Sequence, residues 1–349
     1  MIYDLTNFLI NRRKRKYVSM SEKLKGLAII CFILMFVIWQ IREPVISNAS
    51  QNNLKKDRAT SSFAVIINTF KRPKRLRNSV RYYAESCGKA YGVNQVFVVW
   101  SEIGVEPPHE SEILTPDEAL NEKQKQNRAT FKILKMKQDS LNNRFLPIEQ
   151  LKSDTIFMVD DDIEVKCPSL FFGFEASLAN PDVIVGYYAR TFDENSDNTF
   201  KYRKWPTSFF RDEFRFILPT KGSFLHKRYL DLYTSPEHPQ EIKEMVEKGR
   251  NCEDIAMAFL VSNYTKNVLH TDQEPVYIQG SLIDKGTMSG ISTTGGHFHK
   301  RDKCLTDINN LYKKRNWDPA LKKLKLSKHI WGRNNFWWQT RPSSIFEWI

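Results

Sequence analysis

An apolar run that ends in three consecutive aspartates constrains the fold of this chain most strongly. Residues 155–159 (TIFMV) have the apolar and β-branched character of a buried strand, and Asp160, Asp161 and Asp162 follow directly. Ligands of open α/β sheets bind outside the carboxyl ends of the strands. Adjacent carboxylates repel each other and need solvent, hydrogen bonds or a cation. Because Mn²⁺ and Mg²⁺ bind carboxylate and phosphate oxygens, the junction predicts a metal–diphosphate site. The alternative is an acidic loop that merely follows a strand.

The N-terminal segment predicts a membrane anchor. Residues 1–25 carry seven basic and two acidic side chains, and residues 26–41 carry no charge. As a helix, this uncharged segment is about 24 Å long, which suits a thin early-secretory membrane. A cleaved signal peptide is the alternative, but residues 40–43 (QIRE) offer no small-residue cleavage site. The pattern therefore predicts a single-pass type II protein with a cytosolic tail, a signal-anchor at 26–41 and a lumenal C-terminal part.

The net charge of +13 does not indicate a nucleic-acid partner. Seven basic and two acidic residues put +5 of it in residues 1–25, and a lumenal domain meets no nucleic acid. The remaining excess favours diphosphates, anionic glycans or lipid headgroups, or is a solvated basic surface.

Lumenal placement has two further consequences for the chain. Asn48 and Asn263 each begin an N-x-S/T triplet and are candidate glycosylation sites. Four cysteines lie outside the predicted membrane span, in an oxidising space, and the chain has no C-x-x-C pair that would indicate structural zinc.

The lumenal part divides into three predicted regions. Residues 42–62 are polar and predict a stem linker, residues 63–312 have globular composition, and residues 313–349 form a basic, tryptophan-rich tail. The globular region has predicted strands at 63–67, 95–100, 156–159 and 183–188, with a helix at 76–86. Strands interleaved with helices predict an α/β fold with a mostly parallel sheet.

Two further segments predict groups near the acidic triplet. Lys71 and Arg72 follow the first strand, so a parallel sheet would place them at the same edge, where a cation suits a phosphate or a nucleobase. The alternative is a solvent-exposed pair. Asn251 suits a helix N-cap before the apolar run 255–261, and the helix dipole explains Glu253 but leaves the role of Asp254 open.

The motifs together resemble the exostosin-like glycosyltransferases over residues 63–312. The segments that carry the resemblance are VIINTFKR (65–72), VFVVW (96–100), SLNNRF (140–145), FMVDDD (157–162), NCEDIAMAFL (251–260) and KRDKC (300–304). The resemblance implies a GT-A fold and transfer that retains anomeric configuration. It also implies a nucleotide-sugar donor held through Mn²⁺ or Mg²⁺, and a place in the Golgi or endoplasmic reticulum membrane.

The resemblance also implies roles for individual residues. Asp162 is similar to the metal ligand of the family, and Asp254 to the carboxylate at the reacting anomeric carbon. Arg301 is similar to the cation at the diphosphate. The implied donor-binding residues are Arg72, Arg144, Asp160, Asp161 and Asn251, and the implied disulfide is Cys252–Cys304. If Asp254 is catalytic, D254N is expected to lose turnover while it keeps its thermal stability.

Two departures from the family pattern leave the donor open between UDP-HexNAc and GDP-mannose. Ser101-Glu102 stands where animal members have Asn-Asn, and Asp139 stands where a base-contacting Asn is expected. The large extra N-terminal domain of polymerising exostosins is lacking, so we expect transfer of a single sugar to a glycan or glycolipid acceptor.

Two other functional classes remain as alternatives. A metal-dependent phosphohydrolase also uses aspartates at strand ends, but such enzymes place a nucleophilic Asp after the first strand, where this chain has Asn68-Thr69. A non-catalytic, membrane-anchored glycan-binding protein is the third possibility.

Overall fold

The computed structural model describes residues 61–204, 213–271, 273, 275–278, 282–285, 297–315 and 324–325. Residues 1–60, with the predicted cytosolic tail, membrane span and Asn48, lie outside this part of the chain. Within the described ranges, no helix has both the length and the apolar character needed to cross a membrane.

The fold is built around a central sheet of seven strands within the described residues, in the order β11-β6-β10-β4-β1-β2-β3. The strands are β1 (Phe63–Thr69), β2 (Val93–Trp100), β3 (Thr130–Lys135), β4 (Thr155–Asp160), β5 (Ile163–Val165), β6 (Val185–Gly186), β7 (Arg190–Glu194), β8 (Phe200–Lys204), β9 (Glu213–Ile217), β10 (Ser223–His226), β11 (Val276–Tyr277), β12 (Leu282–Asp284) and β13 (Leu324–Lys325). Strands β12 and β5 form a small antiparallel pair, and β13, β9, β7 and β8 form a second sheet.

Strands β1 to β4 are mutually parallel, and β10 runs antiparallel to β4 and β6. This confirms the predicted α/β class with a mostly parallel central sheet. The apolar runs of β1, β2 and β4 are buried because the sheet is covered on both faces. The predicted strand 183–188 shortens to β6. Strand β3 was not predicted, because at the sheet edge its side chains are only half-buried or exposed.

The helices connect and cover these strands. They are α1 (Pro73–Arg81), α2 (Glu110–Ile113), α3 (Glu122–Asn127), α4 (Cys167–Ala179), α5 (Arg228–Thr234), α6 (Gln240–Gly249), α7 (Glu253–Asn263) and α8 (His297–Lys314). Proline opens α1, where its missing N–H costs no helical hydrogen bond. The Cys87–Cys167 disulfide ties the segment after α1 to the start of α4. Helix α8 continues past the predicted boundary at 312.

The order of the strands locates a ligand-binding crevice. From β1 the chain proceeds to β2 and β3 on one side, and then returns to β4 on the other side of β1. The topological switch point therefore lies between the carboxyl ends of β1 and β4, where open α/β sheets bind ligands. Asn68 and Asp160 are paired in register at this point, so the loops after both strands begin at the same height.

Candidate active site

The acidic triplet lies at this switch point, beside the loop that follows β1. The Thr69 hydroxyl donates to Asp161 Oδ2 at 2.7 Å. Arg72 Nη1 donates to Asp161 Oδ1 at 3.1 Å and to Asp162 Oδ2 at 2.8 Å. Arg75 Nη1 reaches the same Asp162 oxygen at 3.5 Å. Arg72 and the triplet therefore share one edge of the sheet, as the parallel arrangement predicts.

Two carboxylates of the triplet are difficult to ionise. Burial raises the pKa of Asp161 to about 6, and repulsion from Asp162 and Asp160 raises it further. The hydrogen bond from Thr69 and the attraction of Arg72 lower this pKa but do not cancel the effect of burial. Burial also raises the pKa of Asp162, with further repulsion from Asp160 and Asp284 that Arg72 only partly offsets. Burial is thus the main reason that ionisation is disfavoured at these two side chains, and Arg72 only partly offsets it.

This donor set fits a hard divalent cation. Carboxylate oxygens are the ligands that Mg²⁺ and Mn²⁺ prefer, and a bound cation would favour the ionised form of both side chains, which burial disfavours. Among the described side chains, no group of three or more His, Cys, Asp or Glu could hold a metal alone. Mg²⁺ in phosphate-transfer sites is commonly bound by one or two carboxylates plus substrate phosphates, so fewer protein ligands are sufficient.

Arg144 joins the triplet to a second group of acidic residues. Ser140 caps the short 3₁₀ helix Leu141–Phe145, which presents Arg144 with a side chain only 3% exposed. The guanidinium is hydrogen-bonded to Asp160, and its Nη1 lies 3.0 Å from Glu253 Oε1. Burial and the neighbouring Asp254 raise the pKa of Glu253 despite the attraction of Arg144. The loop after β3 therefore connects β4 to the first turn of α7.

Asp254 and Arg301 form a buried ion pair beside this bridge. Arg301 Nη2 is hydrogen-bonded to Asp254 Oδ2, and Nη1 donates to Asn251 Oδ1 at 3.1 Å. The guanidinium also lies 4.6 Å from the centroid of the Tyr202 ring. Burial opposes ionisation of Asp254, but the attraction of Arg301 outweighs it and lowers the pKa of this carboxyl. The pair is therefore ionised at neutral pH.

An unusual turn and a disulfide place this pair. Arg250 and Cys252 both have positive φ, at 45° and 75°, and α7 begins at Glu253 with Cys252 as its N-cap. The prediction that Asn251 caps this helix is therefore wrong, because its side-chain Oδ1 accepts from Arg301 Nη1 and from the Cys252 N–H. The Cys252–Cys304 disulfide implied by the family resemblance is present and holds α7 against α8, one turn from Arg301.

The structure brings together most of the predicted site residues and separates two others. Lys71 is exposed, and its ammonium lies 5.1 Å from the Phe70 ring centroid rather than at the triplet. Asn263 is 4% exposed in the last turn of α7, and its Oδ1 accepts from Asn267 Nδ2 at 2.6 Å. A glycan does not fit at this buried position, so the structure contradicts the predicted glycosylation at Asn263.

Three residues of the site were missed by sequence reasoning. Thr69 binds the triplet, Glu253 binds Arg144, and Tyr202 packs on Arg301. A hydroxyl at the end of the first strand could have indicated Thr69. The helix dipole was sufficient to explain Glu253, and no local pattern marks Tyr202, which lies in β8 of the second sheet.

The sequence is similar to those of known glycosyltransferases. Residues 63–327 match the family described as Glycosyl transferase family 64 domain. The chain is 32% identical over 301 residues to Glycosylinositol phosphorylceramide mannosyl transferase 1 of Arabidopsis thaliana, covering 84% of this chain and 86% of that protein. It is 26% identical to human Exostosin-like 2, covering 72% and 73% of the two chains.

Other relatives are much longer than the matched region. Human Exostosin-2 is 28% identical over 256 residues, which cover 72% of this chain but 32% of that protein. The match to the family domain covers well over half of the chain and includes every residue of the site described above. The chain therefore belongs to glycosyltransferase family 64, the exostosin-like family, and is a glycosyltransferase rather than a phosphohydrolase or a non-catalytic glycan-binding protein.

Proposed function

We propose that this protein is a metal-dependent, retaining glycosyltransferase of GT-A type that moves one sugar from a nucleotide-sugar to a glycan or glycolipid acceptor. One observation carries the proposal. A strand-end carboxylate group suited to a metal–diphosphate is joined by the buried Arg144 to Glu253, whose neighbour Asp254 forms a buried pair with Arg301. A nucleotide-sugar needs both parts, one for its diphosphate and one for its anomeric carbon.

The acidic triplet and its arginines would bind the donor. Asp162 would hold Mn²⁺ or Mg²⁺, which when bound supplies Lewis-acid stabilisation of the departing diphosphate. Asp160 and Asp161 would accept hydrogen bonds from the ribose and from the donor sugar. Arg72 already lies 2.8 Å from Asp162, so it is placed to contact a phosphate held at that carboxylate.

Asp254 would stabilise positive charge at the anomeric carbon as the sugar–phosphate bond breaks. Its Oδ1 accepts from the Ile255 N–H at 2.8 Å and its Oδ2 from Arg301, so the carboxylate is fixed in position before any substrate binds. Such preorganised charge needs no rearrangement during the reaction. Arg301 would hold Asp254 in place and add positive charge beside the diphosphate. This arrangement favours attack by the acceptor on the same face over covalent bonding to Asp254.

The acceptor and the location follow from the relatives and from the N-terminal sequence. The Arabidopsis relative is named for transfer of mannose to a glycosylinositol phosphorylceramide, which supports a glycolipid acceptor. The basic tail and the uncharged segment at 26–41 support a type II anchor in the Golgi or endoplasmic reticulum membrane, with the catalytic domain in the lumen.

The proposal is tested with the full chain purified in detergent. UDP-HexNAc and GDP-mannose are each supplied with a glycolipid acceptor, and product is measured with Mn²⁺ and with EDTA. We expect transfer with one donor, loss of product in EDTA, and a product that NMR shows to retain the donor's anomeric configuration. Equal transfer in EDTA would contradict metal dependence, and an inverted product would contradict retention.

A further inference from the structure

A buried carboxylate that the mechanism does not use lies on the far side of β1 from the triplet. Glu102 follows the carboxyl end of β2 and is 9% exposed. Its Oε1 accepts a hydrogen bond from the Lys71 backbone N–H at 2.5 Å. Within the described part of the chain, no cationic group lies within ion-pair distance of Glu102. Its Oε2 is not among the buried atoms that lack a partner, so the backbone holds one oxygen and the carboxylate is open to a ligand that carries N–H groups.

The position of Glu102 corresponds to the nucleoside end of a bound donor. Thr69 at the end of β1 pairs with Trp100 in β2, so Glu102 lies just beyond the next strand end from the triplet. Asn143 donates to the Ser101 hydroxyl at 2.9 Å, and its neighbour Arg144 binds Asp160. The diphosphate would lie at the ends of β1 and β4, and the donor sugar would lie at Asp254. The nucleoside, at the other end of the diphosphate, would then extend over β1 towards β2.

The chemistry of a carboxylate distinguishes the common nucleobases at this position. The hydrogen-bonding edge of guanine presents two adjacent donors, N1–H and N2–H₂, which match the two oxygens of a carboxylate. The corresponding edge of uracil has one N–H between two carbonyl oxygens, and these would repel the carboxylate. The Lys71 N–H fixes the orientation of the Glu102 carboxylate and uses one lone pair of Oε1. Both oxygens still have a lone pair for a bidentate contact.

We propose that Glu102 reads guanine and that the donor is therefore a GDP-sugar. This inference rests on the proposed function, since it names the donor of the same site. Asp139, the other acidic departure from the family pattern, does not serve this role. It is ion-paired at 2.8 Å with Arg250 Nη2, and its backbone carbonyl also accepts from Arg250. Its carboxylate is thus already satisfied by a cation, whereas among the described residues Glu102 accepts from a single backbone N–H.

The test measures binding of GDP, IDP and UDP to the detergent-purified full chain by titration calorimetry with Mn²⁺. IDP differs from GDP only by the absence of the N2 amino group. A hydrogen bond to a charged group contributes about 1.5–3 kcal/mol, so GDP is expected to bind about tenfold or more tightly than IDP. UDP is expected to bind more weakly than GDP.

Two variants separate base reading from a structural effect. E102Q keeps the size of the side chain and an acceptor for the Lys71 N–H, and it should reduce the GDP-to-IDP affinity ratio to near one. E106Q is the matched control, because it also removes one acidic charge from the segment after β2, at an exposed side chain that is ion-paired with Lys135, and it should keep the wild-type ratio. A thermal melt checks that both variants are folded.

Each outcome decides between the inference and the proposed function. Tighter binding of UDP than GDP, or an unchanged GDP-to-IDP ratio in E102Q, would overturn the assignment of Glu102 and leave the proposed transferase intact. Absence of Mn²⁺-dependent binding by all three nucleotides would instead overturn the proposed function itself.

Discussion

The buried pair of Asp254 and Arg301 makes a prediction that separates stability from catalysis. Both side chains are at most 10% exposed, and each neutralises the other. Removing one partner of a buried pair typically costs about 3–5 kcal/mol, because the other charge is left uncompensated. We therefore expect D254N to lower the free energy of unfolding by about 3 kcal/mol, whereas the sequence alone predicts a variant that keeps its thermal stability.

The double variant makes the argument quantitative. In D254N/R301M neither partner leaves an uncompensated charge, and neutral groups replace a pair that had to be desolvated. Replacing both partners of a buried pair is often nearly neutral for stability. The double variant should therefore be more stable than the sum of the single losses predicts, with a coupling energy of at least about 2 kcal/mol. R301M itself should lose about as much stability as D254N.

Two measurements complete the cycle. Urea denaturation of wild type, both single variants and the double variant gives the coupling energy, and donor turnover is measured on the same samples below their melting temperatures. Turnover should fall by orders of magnitude in all three variants, because recovered stability does not restore charge at the anomeric carbon. Additive stability losses, or turnover that recovers together with stability in the double variant, would refute this reasoning.

Three further predictions address the metal, the disulfide and a buried histidine. D162N should lose Mn²⁺-dependent nucleotide binding in calorimetry but keep its melting temperature, and retained binding would contradict the metal assignment. C304S opens a crosslink spanning 52 residues and should lower the unfolding free energy by about 4 kcal/mol in non-reducing urea titrations; a loss below about 1 kcal/mol would contradict this. Burial lowers the pKa of His238 from 6.5 to about 3, so the unfolded chain takes up this proton first. Its contribution to stability is complete above pH 6.5 and falls by ~1.4 kcal/mol per pH unit below it, and H238F should remove this part of the pH dependence of urea midpoints. An identical pH dependence in H238F would show that other groups cause it.

The sequence predicts elements of this fold where local pattern and burial agree. The runs of β1, β2 and β4 are apolar on both faces, and the covered parallel strands need that composition. Strand β3 carries Lys132 and Lys135 and has no fully buried side chain at the sheet edge, so the segment could be taken for a polar connection. The run 183–188 is apolar enough for a strand, yet only Val185–Gly186 pair, because β10 and β11 offer short partners.

The site is predictable where its residues are neighbours in sequence and unpredictable where tertiary contacts define it. The triplet follows its own strand, so its place at a strand end is a local property. The contact of Arg144 with Glu253 spans 109 residues, and that of Arg301 with Asp254 spans 47. The turn that starts α7 needs positive φ at Arg250 and Cys252, which neither residue type favours. Contacts distant in sequence hold that turn, namely the Cys252–Cys304 disulfide, the Arg250–Asp139 ion pair and the contact of Asn251 with Arg301, and the N-cap prediction for Asn251 therefore failed.

The balance of charge across the whole site explains why its two halves have opposite properties. The carboxylates are Asp160, Asp161, Asp162, Glu253 and Asp254, and the arginines bonded to them are Arg72, Arg75, Arg144 and Arg301. Five acidic groups therefore share four cations, and the deficit is not spread evenly. Asp254 has its own arginine and a lowered pKa, whereas Asp161 and Asp162 share Arg72 and have raised pKa values. A divalent cation bound at Asp162 would supply the missing positive charge where the diphosphate also needs it, while Asp254 stays anionic for the developing positive charge of the sugar. The same distribution predicts that metal and donor bind cooperatively, because each reduces the electrostatic cost of the other.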